Sequence, residues 1–442
     1  MKYPVYLMAA LLMMFSVSIS AQNIKFVEYD LKNGLHVILH EDHTTPITAV
    51  TVMYHVGSKN ETAGRSGMAH FFEHLLFEGS ENIGRGQYAK YVENSGGALN
   101  ANTSQDRTFY YELVPSNQLE MGLWLESERM LHAKVEIVGI ETQREVVKEE
   151  KRQRIDNQPY GTLFLETLDH AFDLHPYSWP PIGSMEDLNA AQEIDFKNFY
   201  KTFYVPNNAV LSIAGDMNIE ETKKLIDKYF AGIPRGTMEI PRPTQVEPLN
   251  KGEVRDTIWG KDQLTMVVQA FHIPAQGTKE FYAVDMLNQL LSQGESSRLN
   301  KSLVEEKELA LFSGAFTYNT EHPGLTMAFS LANMGIDPLQ VEQAMTAEFD
   351  KVKTELITDK ELQKLRNQLE NDFVTRNATV AGIAESLANY HMYFGDANLI
   401  NTEIEKYMAV TKEDIMNTAK KYYTKENRVV LYFMNDPNST QE

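Results

Sequence analysis

Two histidines and a glutamate stand at His70, Glu73 and His74, in the stretch His-Phe-Phe-Glu-His. On a helix, positions i, i+3 and i+4 share a face, so both imidazoles and the carboxylate point the same way. Neutral imidazoles on adjacent turns can grip a divalent metal, most often zinc. A non-ligating glutamate between them can take a proton from the attacking water of a hydrolysis. The order His-x-x-Glu-His reverses the thermolysin-type His-Glu-x-x-His and is the inverzincin signature. Around it the residues are apolar: Met68, Ala69, Phe71, Phe72, Leu75, Leu76 and Phe77. Burying two bare histidines and a carboxylate there is costly without a partner such as a metal.

A catalytic zinc takes three protein ligands and keeps one position open. The third ligand is sought between Glu141 and Lys151, a charged helical stretch that offers Glu145, Glu149 and Glu150. Helical spacing does not choose among them. Glu145 and Glu149 share one face, while Glu150 shares a face with Val146 and Gln143.

The elements that must position these groups alternate between strands and helices. Lys25 to His40 alternates as a hairpin about Asn33-Gly34, and Thr48 to Val56 reads as a buried strand. Ser66 to Phe77 is the motif helix, and Gly96 to Leu113 carries two strands about a polar break at Thr103 to Arg107. Helices follow at Asn117 to Leu131, Glu136 to Arg154 and Tyr160 to Phe172. A proline-rich stretch from Pro234 to Pro248 breaks the pattern and reads as a linker. Asp195 to Tyr204 running into Asn207 to Leu211 is echoed by Asp414 to Tyr423 running into Glu426 to Leu431, each a helix, a short turn and a strand, an internal repeat of two halves. The second half has no His-x-x-Glu-His, so only the first can hold the metal. The expected layout is a signal peptide at 1–21, a metal-bearing domain at 22–233, a linker at 234–252 and a homologous metal-free domain at 253–442.

With 442 residues the chain is long enough for two domains with proper cores. The formal charge of −20 argues against nucleic acid, which demands a basic surface. That acidity mainly serves solubility, with steering of basic peptides as a lesser effect. There is no cysteine, so disulfides and thiolate ligands are ruled out. Lys2, an apolar run from Val5 to Phe15 and the small residues before Gln22 describe a secretory signal peptide. Cleavage is expected between Ala21 and Gln22, or one residue earlier. The run is too short for a comfortable membrane span, so no stable membrane anchor is expected. The protein is expected to be periplasmic or secreted.

The chain resembles the pitrilysin and mitochondrial processing peptidase family of zinc metallopeptidases, in its short bacterial branch. The resemblance runs through Asn33-Gly34-Leu35, Glu41-Asp42-His43, Val56-Gly57-Ser58, the His-x-x-Glu-His helix and Phe77-Glu78-Gly79-Ser80. It continues through Gly96 to Ala101 with Thr103, Glu145 to Glu150, Tyr204 to Asn208 and Ala214-Gly215-Asp216. It implies an α+β fold of two homologous domains, each a mostly antiparallel sheet flanked by helices. It implies a zinc endopeptidase with Zn2+ held by His70, His74 and the glutamate 76 residues beyond His74, which is Glu150. Glu73 is the implied general base. The strand with Asn100, Ala101 and Asn102 is the implied substrate-binding edge for peptides or unfolded segments.

One departure bears on partners. Active relatives carry an Arg and a Tyr after a Ser-Ser-Arg-Leu turn, to hold the substrate carbonyl and the developing oxyanion. Here the turn is Ser296-Ser297-Arg298-Leu299, and the two positions hold Val304 and Leu311, which donate no hydrogen bond. The expectation is a heterodimer in which a homologous second subunit supplies the pair, with a homodimer using Arg298 as the alternative. A non-catalytic assembly subunit is the rival reading, disfavoured because such a subunit has no need of Glu73. A second departure is Gln143, where relatives often have a glutamate.

Overall fold

A computed structural model describes residues 23–249 and 252–437; the segment read as a signal peptide lies outside them. Six strands form the first sheet: β1 (Val27–Asp30), β2 (His36–Glu41), β3 (Ile47–Tyr54), β4 (Ala98–Thr103), β5 (Thr108–Pro115) and β6 (Ala209–Gly215). Five form the second: β7 (Val254–Gly260), β8 (Met266–Ile273), β9 (Ala310–Tyr318), β10 (Gly324–Ala332) and β11 (Arg428–Asn435). Their neighbour orders are β1-β2-β6-β3-β5-β4 and β7-β11-β8-β10-β9. With β1 set aside the two orders are the same. In each half the first strand pairs parallel with the last, and every other pairing is antiparallel. The fold is α+β with two homologous domains.

The hairpin expected at Asn33-Gly34 joins β1 to β2, with Gly34 at φ +90°, a left-handed conformation that glycine adopts without a Cβ penalty. Each half closes on the same device. Asn208, after the helix Glu193–Phe203, donates to the carbonyls of Phe203 and His55. Asn427, after the helix Lys412–Tyr422, donates to the carbonyls of Tyr422 and His272. One asparagine thus ties a helix end to the end of a central strand in both halves.

The halves exchange helices. Helix Val380–Phe394 belongs to the second half in sequence, yet its Ile383, Ala384, Leu387 and Ala388 pack against Ile38, Ala49, Met53 and Val210 of the first sheet. Reciprocally, Leu168 and Ala171 of helix Leu163–Ala171 pack against Met266, Val268 and Leu431 of the second sheet. Each sheet is covered on one face by its own helices and on the other by its neighbour's. Neither face could be left to water, because the central strands are buried throughout.

Polar contacts lock the same seam. Asp106, in the β4–β5 turn, accepts from Lys59 Nζ at 2.8 Å, Tyr177 OH at 2.6 Å and the Glu321 backbone N–H at 3.0 Å. Glu321 also pairs with His55 and Lys59. His175 lies beside this cluster, only 2 % exposed, and burial with the nearby His322 pushes its pKa down to about 4. The unfolded chain protonates that ring at an ordinary 6.5. Stability held by neutral His175 is therefore complete above pH about 6.5 and is lost as pH falls towards about 4. Thermal unfolding between pH 7 and 4 should fall more steeply for the wild type than for His175→Gln. Parallel curves would remove His175 from this account.

Candidate metal centre

The motif helix spans Met68–Leu75, shorter at both ends than the apolar run suggested. Gly67 opens it at φ +89°, where an added Cβ would lie 2.9 Å from the Ile182 carbonyl. The first turn is capped by buried Glu61, whose two oxygens accept from the Gly67 and Ala69 N–H groups at 2.9 and 2.8 Å. Trp179 Nε1 donates to the same carboxylate. Loss of the acceptors strands two buried N–H groups, so Glu61→Ala should cost about 1–3 kcal/mol per stranded group in chemical denaturation. Glu61→Gln, which keeps one acceptor, should cost less. Equal stability of both variants and the wild type would refute the capping role.

Phe71, Phe72 and Leu75 point into the core, where Phe72 packs among Phe196, Phe199 and Tyr204. That fixes the opposite face, with His70, Glu73 and His74, towards helix Ile137–Lys151 and strand β4. Gly139 lets the two helices approach: a Cβ there would sit 3.3 Å from Leu75. Arg144, donating to the Ala191 carbonyl, and buried Val147 set the rotation of the second helix.

Of the three glutamates left open by spacing, one reaches the histidines. Glu150 Oε2 lies 3.1 Å from His74 Nε2 and 3.6 Å from His70 Nε2. Glu145 pairs outward with Lys148, and Glu149 with Arg152. The rings of His70 and His74 stand at 81°, and one ring nitrogen of each lies within 4.8 Å of the other and of a Glu150 oxygen. Donors about 2.0–2.2 Å from a tetrahedral zinc lie roughly 3.3–3.5 Å apart, and the observed spacings bracket that value. Glu150 Oε2 is buried without a hydrogen-bond partner, as a ligand atom should be. The residues fit zinc. Burial holds the His70 pKa down to about 4, which keeps the ring neutral and able to ligate. The close approach of His74 Nε2 holds the Glu150 carboxyl below its ordinary value against the opposing effect of burial.

A second group of donors, Glu28, His36 and His391, also lies close together. Its imidazoles are stacked face to face, 3.3 Å between centroids and 8° from parallel, so their lone pairs do not converge. It serves to pin the β1–β2 hairpin to the exchanged helix.

Glu73 lies beside the cluster without joining it. Its Oε2 accepts from Thr103 Oγ1 at 2.7 Å, and burial raises its pKa above the ordinary carboxylate range. A raised pKa makes a carboxylate a better proton acceptor near neutrality. Three contributors were not assigned roles from sequence. Thr103 reads in sequence only as the end of the expected substrate strand and not as a partner of Glu73, and Arg154, which pairs with Glu150 Oε1 at 2.8 Å, is four residues beyond Glu150, a spacing that could have signalled it. Glu61 lies in a loop and left no signal. Gln143, the departure noted above, donates to Glu78, whose carboxylate also binds Arg85. The expected substrate residues divide: Ala101 is buried on the motif-helix side, while Asn102 lies across the sheet and accepts from Arg107. Asn100 turns back so that its Oδ1 accepts from the Ala101 N–H.

Residues 36–180 match the family described as insulinase, peptidase family M16, and residues 193–369 match the peptidase M16 inactive domain. The chain is 32% identical over 425 residues to a zinc protease, PqqE, of Helicobacter pylori, covering 94% of this chain and 95% of that one. The chain belongs to the M16 peptidase family. Another M16 relative, an uncharacterized zinc protease of Mycobacterium leprae, is 27% identical over 395 residues, 87% of this chain and 86% of that one. The solved structure of a protease from Helicobacter pylori superimposes with a TM-score of 0.89 at 30% identity, over 93% of this chain and 99% of that one. The periplasmic protease PqqL of Escherichia coli shares the fold at 18% identity, with a TM-score of 0.77. Here 93% of this M16 chain matches only 48% of PqqL. Among the described residues no helix is long and apolar enough to cross a membrane.

Proposed function

We propose that this M16 chain is a zinc-dependent endopeptidase acting on peptides or unfolded protein segments. In this reading His70, His74 and Glu150 hold the zinc, and Glu73 is the general base. The observation that carries it is the convergence of three metal-grade donors beside a carboxylate that is not one of them, next to an open strand edge. Bound zinc would supply Lewis acidity towards a water and a peptide carbonyl. Glu73 takes the proton of the attacking water and returns it to the leaving amine nitrogen. Thr103 holds the Glu73 carboxylate in place for both transfers. β4 has β5 on one side only, so a peptide can add to its free edge and bring its carbonyl to the site. The Asn100 amide then gives up the Ala101 N–H to the incoming main chain.

The reading includes a second, homologous subunit. Val304 packs into the second core, and Leu311 stands exposed on β9 without a donor. Arg298, the nearest alternative, is committed to Glu361 at 2.9 Å. The oxyanion donors are therefore assigned to a partner chain, and the heterodimer is favoured over the homodimer. The PqqL fold, in which one chain spans two such lengths, is consistent with this. In this reading the N-terminal segment is a secretory signal peptide, and the mature protein works in the periplasm or outside the cell.

The test is metal content and cleavage of a quenched-fluorescent peptide on one sample of the purified mature chain. About one zinc per chain, with cleavage appearing or rising sharply when an Arg/Tyr-bearing homologue is added, is the expected result. Absence of bound zinc overturns the reading. Full activity from the chain alone overturns the divided site. In the active preparation Thr103→Val should lower kcat about ten-fold with little change in KM, and Thr103→Ser should restore it.

A further inference from the structure

A cavity of about 400 Å³ opens between the two halves at the end of β4, within the size range of side-chain and ligand pockets. Ser104 and Arg107 of the β4–β5 turn form one wall, and Asp285, Gln289, Asp372 and Glu403 of the second half form the others. We propose that this cavity takes the positively charged side chain, lysine or arginine, of a peptide lying along β4. The inference rests on the reading of β4 as the substrate strand and adds a substrate class to it.

The groups that donate to these three carboxylates are neutral. Asp285 Oδ2 accepts from Tyr407 OH at 3.0 Å and Gln289 Nε2 at 3.3 Å. Glu403 accepts from Tyr390 OH at 2.5 Å and Tyr282 OH at 3.4 Å, and Asp372 from Gln293 Nε2 at 3.2 Å. Among the described residues none of these three carboxylates has an ion-pair partner within 4.0 Å. Hydroxyls and amides satisfy lone pairs but leave the charge standing.

The cations nearby are mostly spent. Arg107 is held by Glu385 and Asn102, and Lys59 is held by Asp106. Arg376 also lines the cavity, but it is exposed, has no carboxylate within 4.0 Å among the described residues and acts on Asp285 only at a distance. Burial raises the Asp285 pKa, as expected of a carboxylate with no cation against it. Gln289 Oε1, on the same wall, is buried with no hydrogen-bond partner and provides a further acceptor. An ammonium or guanidinium group brings both the charge and the donors these oxygens lack.

Position supplies the other half of the argument. β4 ends at Thr103 and the cavity begins at Ser104, so a strand paired with β4 runs directly past its mouth. The apolar part of a long basic side chain can lie along Tyr390 and Tyr393 while its head reaches the carboxylates.

The test uses the full mature chain loaded with zinc and carrying Glu73→Gln, so that bound peptide stays intact. N-acetylated fluorescent peptides carry a single lysine, or norleucine, walked along an otherwise uncharged sequence. At one position lysine should bind about ten-fold more tightly than norleucine. The combined Asp285→Asn and Glu403→Gln variant should abolish that preference and leave the norleucine affinity unchanged. Equal affinities at every position, or a preference that survives the double variant, would overturn the proposal. No binding of any peptide would overturn it together with the β4 reading. Cleavage of the norleucine peptide is measured separately, on wild-type chain together with the Arg/Tyr-bearing homologue. A basic preference retained without cleavage faults the catalytic reading and leaves the cavity assignment standing.

Discussion

Glu73→Gln should lower turnover by about 10²- to 10⁴-fold, the usual scale for removing a general base, while zinc content stays at one per chain. The amide has the size of the carboxylate and can still accept from Thr103 Oγ1, so the packing about the motif helix is preserved. It cannot take a proton from water at any ordinary pH. Glu73 is not among the converging donors, so metal occupancy should be untouched. Glu150→Gln makes the contrasting case, because it weakens a charged donor in the cluster and should lower zinc content and activity together. Metal analysis and single-turnover cleavage on the same samples separate the two. If Glu73→Gln lost its zinc, or kept its turnover, the division of roles would fail.

Arg129→Leu should destabilise the first half by about 3–5 kcal/mol, read as a lower urea midpoint. The guanidinium is fully buried, with Glu126 at 3.1 Å and Glu112 at 3.3 Å, and it lies over the rings of Phe77, Tyr88 and Tyr110. Removing it leaves two carboxylates in an apolar core without a counter-charge. Burial and the neighbouring Glu126 already push the Glu112 pKa well up, so Glu112 would go neutral first. Arg129 Nη1 also donates to the Leu76 carbonyl at the end of the motif helix, so zinc affinity should fall along with stability. Replacing Glu112 and Glu126 by leucine in the same chain should recover most of the loss, since well-packed apolar groups often equal a buried ion network. A midpoint unchanged in Arg129→Leu would show that the network contributes nothing net.

Particular residues show how far the sequence could be read. Asn33-Gly34 announced a hairpin because few residue pairs tolerate that turn, and the turn is where it was expected. The aromatic-ended helix, turn and strand at Asp195 and again at Asp414 announced a duplication, and both sheets carry it through to the same strand order. Boundaries were less legible. Tyr160 to Phe172 reads as one helix, yet the helix begins at Leu163, because Tyr160 takes φ +53° and donates its backbone N–H to Asp262 and its hydroxyl to the Leu264 carbonyl, both in the second half. That contact depends on a partner about a hundred residues away, which no local pattern reports.

The exchange of helices was not legible at all. Val380–Phe394 has an apolar face like any helix, and amphipathicity says that a face is buried without saying against which sheet. For the carboxylates near the metal centre the residues alone left three open, and only the family resemblance named Glu150. Glu145, Glu149 and Glu150 are alike in type and neighbouring in sequence, and the choice among them turns on the rotation of one helix about its axis. Gly139, Arg144 and Val147 set that rotation by what they touch.

By itself the sequence carried the family resemblance, and it determined the duplicated α+β plan and the shared face of His70, Glu73 and His74, because the latter two rest on short-range geometry: helical spacing, turn stereochemistry and the donor atoms of each side chain. Only the tertiary structure decided that Glu150 meets the two imidazoles, that Thr103 holds Glu73, and that carboxylates of the second half line a cavity beside the first half's edge strand. Those are distances between residues far apart in the chain. They arise from the packing of whole elements, in which buried apolar area fixes how the helices and sheets sit and the polar groups take the positions that remain.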